Sequence, residues 1–449
     1  MSAELEAAAQ LTVAGPQVSP RGLLSSWGRL CLDALSRRRV QLIGGTIFAV
    51  LLPALVRWSV IGFLDAPTPD RLMHGDLVLR NSIPLTLVAL VAGYIILQQL
   101  RAHPGARSFA FVIYPFTLCY GACVLGLLIS RADYSRYQIF SSYVLAIAWF
   151  IGVDGLISRR MSWRLGYLPR LHQGELPRSS RVNWTGIADA GSDPNRLMGV
   201  VADLSANHEP SWERYMARAA LAGVPVFDVR QVSEWLTGQV RLENLSQNTL
   251  SAGLSQQAYV RLKWLIDIGI IVLVGPFFAL MIVAASIAIR LESRGPAIFT
   301  QTRMGHRGRP FTIYKLRTMR LASSGESYTT DGDPRITRVG AFLRKRRLDE
   351  FPQIWNIVRG EMSWIGPRPE AVDLAQWYEA EVPFYCYRHM VRPGITGWAQ
   401  VNQGNVARPD AAAKKLRYDF YYIKYLSPWL DLLIIAKTVR TIATGFGSK

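Results

Sequence analysis

Cysteine is scarce in this sequence. Cys31, Cys119, Cys123 and Cys386 are its whole supply, and no pair has the spacing of a metal knuckle or the density of a disulfide framework. That excludes a zinc module and a small disulfide-stapled domain, and all four thiols read as structural. Acid is in short supply too: 32 Asp+Glu stand against 51 Lys+Arg, a formal net charge of +19. The partners implied are anionic, namely phospholipid headgroups, phosphates or nucleic acid. No recognised nucleic-acid module accompanies the charge, which turns the reading away from nucleic acid. The first 40 residues lack an apolar core ending in small residues, so no cleaved signal peptide is expected, and Met1 to Pro20 reads as a disordered tail.

Apolar sequence is abundant. Half of the 449 residues are hydrophobic, and four stretches, Gln41 to Leu64, Ile83 to Gln99, Phe109 to Ile129 and Gln138 to Ile157, each approach the ~20 residues needed to cross hydrocarbon. Arg37, Arg38 and Arg39 precede the first, Arg101 and Arg107 separate the second from the third, and Arg159, Arg160, Arg164 and Arg170 follow the fourth. The opposite loops carry Asp65, Asp70, Asp76 and Asp133. The positive-inside rule then predicts a four-helix transmembrane bundle over 41–157 with both ends in the cytoplasm, behind a disordered or amphipathic N-terminus at 1–40.

From Ser158 to about residue 258 the sequence turns polar. An apolar run Leu197 to Val201, a helical pattern Trp212 to Ala222 stopped by Gly223, and a strand Val224 to Val229 predict a small α/β cytoplasmic domain. It has no G-x-G-x-x-G and no P-loop, so no nucleotide site is expected there. The segment Trp264 to Arg290 is long enough to span, yet Gly275-Pro276 breaks it near its middle. Two arms of roughly 12 residues reach about 18 Å each, half a bilayer. Arg261 and Lys263 lie before it, Arg290 and Arg294 after it. Basic flanks at both ends favour a re-entrant helix that dips into one leaflet, with a kinked fifth span as the competing reading.

The region from 259 onward reads as this helix followed by a mostly helical α+β catalytic domain. In Phe311 to Met319, strand alternation puts Lys315 and Arg317 on one side, about 6.6 Å apart, a spacing that suits two phosphates. A solvated basic edge strand would look the same. Arg344-Lys-Arg-Arg leads into Asp349-Glu350, placed at a helix N-terminus by Pro352 and closed by Gly360. Such an end favours an ionised carboxylate and an incoming phosphate, and the upstream cations reinforce both. An N-cap Asp with a first-turn Glu is the plain alternative. Arg368, pinned between Pro367 and Pro369, suits a bidentate phosphate contact. Trp398, in a glycine-rich loop, suits either stacking on a base or packing. Lys414 to Tyr425 and Trp429 to Thr441 read as interfacial helices or as surface helices of the domain.

These motifs, taken in order, carry a resemblance. Lys263 with Asp267, the proline-broken apolar run, KLRTMR at Lys315 to Arg320, LDEFPQIWNIVRGEMSWIGPRPE at Leu348 to Glu370 and RPGITGWAQVN at Arg392 to Asn402 resemble the bacterial sugar transferase family, whose members are monotopic phosphoglycosyl transferases. With the N-terminal bundle the chain looks like the larger polyprenyl-phosphate hexose-1-phosphate transferases. Trp264 departs from the basic residue usual after the lysine.

The resemblance implies transfer of a hexose-1-phosphate from a UDP-sugar to polyprenyl (undecaprenyl) phosphate with release of UMP. It places the enzyme in the bacterial inner membrane, at the first membrane step of exopolysaccharide or surface-polysaccharide synthesis. Asp349 would be the nucleophile that carries the phosphosugar, Glu350 would coordinate Mg²⁺, and Lys315, Arg317, Arg344 and Arg368 would clamp phosphates. Asp419 joins the phosphate-binding group by carry-over from the family's tyrosine-rich C-terminal motif. Membrane lipid is an expected partner, a homo-oligomer is compatible with the pattern, and nucleic acid is not expected. A glycosyltransferase releasing UDP and a non-catalytic basic membrane scaffold are the alternatives.

Overall fold

A computed structural model describes residue 35 and residues 37–64, 69–101, 110–131, 133–160, 163–171, 176–177, 179, 182–242, 257–320, 333–403 and 409–444. The tail expected at Met1 to Pro20 lies outside the described residues. The chain forms two compact units, Met1–Gly238 and Gln239–Lys449.

In the first unit the apolar stretches are helical. α1 (Arg38–Gly45) passes through a π-helical turn, Thr46–Leu51, into α2 (Leu52–Leu64). α3 (Pro69–Arg101), α4 (Ala110–Ser130) and α5 (Arg136–Arg160) follow. Within them, Arg38–Ser59, Asn81–Arg101, Phe111–Ser130 and Arg136–Leu156 are each long and apolar enough to cross a membrane. Residues from all four share one buried cluster that includes Val50, Leu90, Phe116 and Phe150, and the Phe116 and Phe150 rings stack 5.0 Å apart. Polar groups beside it find partners across the bundle, since apolar surroundings offer no water. Gln138 Nε2 donates to the Val50 carbonyl at 3.0 Å, and the Tyr120 and Ser142 hydroxyls bond at 2.7 Å.

The polar segment folds as strand and helix. β1 (Trp163–Tyr167), β2 (Val182–Gly186), β3 (Gly199–Ala202) and β4 (Val226–Asp228) form a parallel sheet in the order β2-β1-β3-β4. α6 (Pro210–Leu221) ends before Gly223, whose φ of +78° takes the left-handed turn that glycine permits. α7 (Val229–Thr237) closes the unit.

The second unit is built along α8, Gln257–Glu292. α8 runs as one helix that carries Pro276 inside it. A proline removes one helical hydrogen bond and leaves the ladder intact on either side. α8 is also long and apolar enough to cross a membrane, over Tyr259–Glu292. Both of its arms pack on the same domain. Ile271 joins Ile313, Ile357 and Met362, whereas Ile282, Ala285 and Ile289 join Ala297, Leu316 and Leu343.

The Glu292 carboxylate then accepts from the Arg338 and Val339 N–H groups at 2.7 and 3.0 Å, tying the end of α8 to the start of α9 (Arg338–Lys345). β5 (Ile298–Met304) and β6 (Pro310–Leu316) make an antiparallel hairpin. α10 (Ile354–Val358), β7 (Ser363–Ile365), α11 (Val372–Glu381), β8 (Gly394–Thr396), α12 (Trp398–Gln403), α13 (Pro409–Lys424) and α14 (Pro428–Thr444) complete the unit, with β7 and β8 paired in parallel. The protein is thus a mostly helical membrane protein with some sheet.

One expectation changes. α13 is an interior helix, since Leu416, Asp419, Phe420, Tyr421, Tyr422 and Ile423 are all buried. α14 buries Leu430, Leu433 and Ile434 and leaves Ile435 and Val439 exposed, within the interfacial or surface reading.

Candidate active site

The catalytic candidates lie on a short helical run that begins at a strained residue. Arg347 adopts a left-handed backbone, φ 55° and ψ 26°, a conformation that costs a residue with a side chain and concentrates at functional sites. A 3-10 turn, Leu348–Gln353, follows with Pro352 inside it, then α10, and Gly360 at φ +73° ends the run. Buried Asn356 fastens this run to the β5–β6 hairpin. Its Nδ2 donates to the Thr312 carbonyl at 2.7 Å and to Glu361 Oε2 at 2.8 Å, and its Oδ1 accepts from the Tyr314 N–H at 3.4 Å. Lys315, one residue on, is thereby brought to Glu350, with Nζ 3.7 Å from Oε1.

Arg368 reaches the same oxygen, Nη2 to Glu350 Oε1 at 2.5 Å. Its loop is immobilised by four successive carbonyls. Pro367 O accepts from Gly394 N at 3.0 Å, Arg368 O from Arg388 Nη2 at 2.9 Å, Pro369 O from Arg303 Nη1 at 3.3 Å and Glu370 O from Met304 N at 2.9 Å. The glycine-rich loop is part of this clamp. A β-carbon on Gly394 would collide with the backbone nitrogen of Gly366, so the two loops cross at a separation only glycine allows.

Electrostatics separate the two carboxyls. Burial, joined by the charge of Glu350, raises Asp349 from 3.8 to about 6, with Lys315 and Arg368 pulling the other way. Burial would raise Glu350 as well, but Arg368 and Lys315 outweigh it and hold that carboxyl down at about 2. Burial together with the Arg368 charge lowers Lys315 to about 8. At neutral pH the site therefore holds a permanently ionised Glu350 between two cations and, beside it, a basic Asp349 carboxylate. Neighbouring carboxyls with divided affinities for the proton mark a functional site.

The structure thus brings Asp349, Glu350, Lys315 and Arg368 together and gives Arg317, Arg344 and Asp419 other partners. β6 ends at Leu316, so alternation stops before Arg317. Its guanidinium donates to the Arg294 and Ser293 carbonyls at 2.9 and 2.8 Å and to Ser293 Oγ at 2.9 Å, holding the chain after α8. The expected Lys315–Arg317 pair on one face is therefore not formed. Arg344 Nε is engaged by Thr318 Oγ1 at 2.8 Å. Asp419 is buried and paired with Arg388, Oδ2 to Nη2 at 3.0 Å, a support for the cation that holds the Arg368 carbonyl. Trp398 is also removed from ligand contact: it is buried, stacked 5.6 Å from Tyr421, with Lys437 Nζ 4.2 Å over its ring.

Sequence reasoning missed Arg303, Arg388, Glu370, Lys415 and Asn356. Arg388 lies 3.9 Å from Glu370, whose carboxylate also pairs with Lys415. Partners up to 66 residues apart leave no periodic trace.

A permanently charged carboxylate held by Lys and Arg, an adjacent basic carboxylate and a long apolar helix define a membrane-associated enzyme site suited to phosphate chemistry. A family model described as bacterial sugar transferase matches residues 258–445. Over 414 residues, 90% of this chain and 94% of the relative, the chain is 40% identical to UDP-N-acetylgalactosamine-undecaprenyl-phosphate N-acetylgalactosaminephosphotransferase of Aeromonas hydrophila. A UDP-glucose:undecaprenyl-phosphate glucose-1-phosphate transferase of Caulobacter vibrioides is 41% identical over 186 residues, 40% of this chain and 70% of that one. Its counterpart in Escherichia coli is 42% identical over 158 residues, 34% of each chain. The chain is an enzyme and belongs to the bacterial sugar transferase family.

Proposed function

We propose that this enzyme transfers a sugar-1-phosphate from a UDP-sugar to undecaprenyl phosphate at the cytoplasmic face of the bacterial inner membrane, releasing UMP. The observation that carries the reading is the Asp349 carboxyl, raised to about 6 beside Glu350, Lys315 and Arg368. A carboxylate oxygen of Asp349 attacks the sugar-bearing phosphorus, the bond from that phosphorus to the bridging oxygen breaks, and UMP leaves with the bridging oxygen and its electron pair. The phosphosugar is then an acyl phosphate on Asp349. An oxygen of the lipid phosphate attacks the same phosphorus, giving a lipid diphosphate sugar and returning the carboxylate. Lys315 and Arg368 offset charge on the transferring phosphoryl group.

Mg²⁺ fits this donor set. Glu350 Oε2 is buried without a partner. Mg²⁺ takes one or two carboxylates and completes its shell with water and substrate phosphate. Glu350 Oε2 and Asp349 are the groups that would hold it, and bound there it would polarise phosphoryl oxygens as a Lewis acid.

Two features of α8 bear on the membrane geometry. Both arms pack on one catalytic domain, and Phe278, at the centre of the helix, meets Phe351, two residues after Asp349, with ring centroids 4.4 Å apart. Leu273 and Leu280, 81% and 72% exposed, mark an apolar surface on the same stretch of helix, suited to lipid. Both features support a re-entrant helix that sets the site level with the headgroups, where a lipid phosphate meets a soluble nucleotide sugar.

Incubating the enzyme with UDP-sugars and no lipid tests the scheme. About one UMP per enzyme and a sugar-phosphate mass on the Asp349 peptide are expected. UDP-N-acetylgalactosamine is the first donor to try, because the relative named for it matches over nearly the whole chain. Release of UDP would establish a glycosyltransferase instead, and UMP released only with lipid and without adduct would establish direct attack by the lipid phosphate.

A further inference from the structure

In a 3-10 helix, residues three apart eclipse one another, so the turn Leu348–Gln353 presents three rows. Leu348 and Phe351 form an apolar row: Leu348 packs with the Leu316–Leu343 cluster and Phe351 against Phe278. Asp349 and Pro352 form the second. The third pairs Glu350 with Gln353, and both are buried, Gln353 to 1% exposure.

Each residue of this third row carries an unsatisfied atom. Glu350 Oε2 has no donor, and Gln353 Nε2 has no acceptor. A buried amide without a partner is costly, and native proteins rarely leave one unless a ligand or ordered water completes it. Glu350 Oε1, by contrast, is already engaged by Arg368 and approached by Lys315. The vacant donor therefore lies on the row that holds the cation-flanked carboxylate, one turn further along.

We propose that Gln353 is a substrate-binding residue whose amide N–H donates to a phosphoryl oxygen of the group being transferred; this rests on the function proposed above. A neutral donor suits this place. The two cations already balance Glu350 and the incoming phosphate, and a third buried cation would carry a further desolvation penalty. An amide adds direction without charge and fixes the phosphoryl group in line with the Asp349 oxygen. The phosphoryl oxygen can come from the nucleotide sugar or from the lipid phosphate, which share this chemistry.

The test uses the full-length enzyme in lipid nanodiscs with two variants, Gln353→Met, which keeps volume and removes the donor, and Gln353→Glu, which keeps shape and replaces the donor with an acceptor. UDP-N-acetylgalactosamine binding and polyprenyl phosphate binding are measured separately, alongside the melting temperature of the unliganded protein. An amide-to-charged-oxygen bond predicts about tenfold or greater weakening in one arm for Gln353→Met. Gln353→Glu should be weaker still, and the unliganded melting temperature of the Met variant should be unchanged or raised. The arm that weakens identifies the source of the oxygen. Unchanged affinity in both arms for either folded variant overturns the proposal, and so does a Gln353→Met protein that melts lower yet binds both ligands normally, because Gln353 would then complete itself with water as a packing residue. A wild type that binds neither ligand overturns the functional reading together with this one; a wild type that binds both while the variants match it overturns only this one.

Discussion

Asp349 sits where an acid is hard to ionise, and that position sets two opposite expectations. As a nucleophile it must lose its proton. Activity should therefore rise as pH climbs through about 6, hold, and fall above about 8 as Lys315 loses its charge. A pH–rate profile of UMP release should be bell-shaped between those values, and a profile flat from 5 to 7 would remove Asp349 from the attacking role. For stability the sign reverses. A carboxyl whose affinity for protons rises on folding weakens the fold as pH passes from 3.8 to about 6, since the folded state resists the charge that the unfolded chain accepts. Asp349→Asn should thus melt no lower than wild type at neutral pH while losing activity by a factor on the order of 10³ or more. Asp419 is the contrast. It is buried against Arg388, so Asp419→Leu takes the nearest carboxylate from a buried guanidinium and should cost roughly 3 kcal/mol by thermal or chemical unfolding, with activity lost through the Arg368 loop.

At the scale of elements, α8 does more than anchor. Asp267, inside the apolar helix, accepts from Ser363 Oγ at 2.7 Å, and its carbonyl accepts from Trp364 Nε1 at 3.2 Å. Both donors lie on β7, which leads directly into the Arg368 loop. Four residues before Asp267, Lys263 pairs with Asp431 of α14, which also accepts from Tyr259 at 2.7 Å and Tyr422 at 2.9 Å. The first arm of α8 is thereby fastened to the strand that leads into the Arg368 loop. Asp267→Ala should lower kcat more than it raises KM for the nucleotide sugar, and Asp267→Asn, which still accepts from Ser363, should recover most of the loss. Topology is checked independently. In a background without native cysteines, single cysteines placed before Arg261 and after Arg294 should both label from the cytoplasmic side only, and external labelling of the later site would establish a spanning helix.

For the whole molecule, the metal is the remaining test. Chelation should abolish UMP release and Mg²⁺ should restore it, whereas full turnover in excess chelator would leave Lys315 and Arg368 alone to offset the phosphate charge. What could be read in advance divides along a physical line. The apolar stretches, the Gly223 and Gly360 stops, the polar α/β segment and the Asp349-Glu350 turn are local features, because helix formation, hydrophobic periodicity and chain reversal depend on residues a few positions apart. Motif order then marked Lys315, Arg368 and the two carboxyls before any fold was known. The sequence did not reveal that Arg317 would turn to Ser293, that Asp419 would be spent on Arg388, or that Trp398 would be sealed under Lys437. Nor did it show that α8 would continue through Pro276 with both arms against one domain. A charged side chain takes whichever partner the fold brings within reach, and the cost of burying it unpaired makes that choice decisive. Sequence therefore determined which residues could do the chemistry, and tertiary structure decided which of them face the same carboxylate.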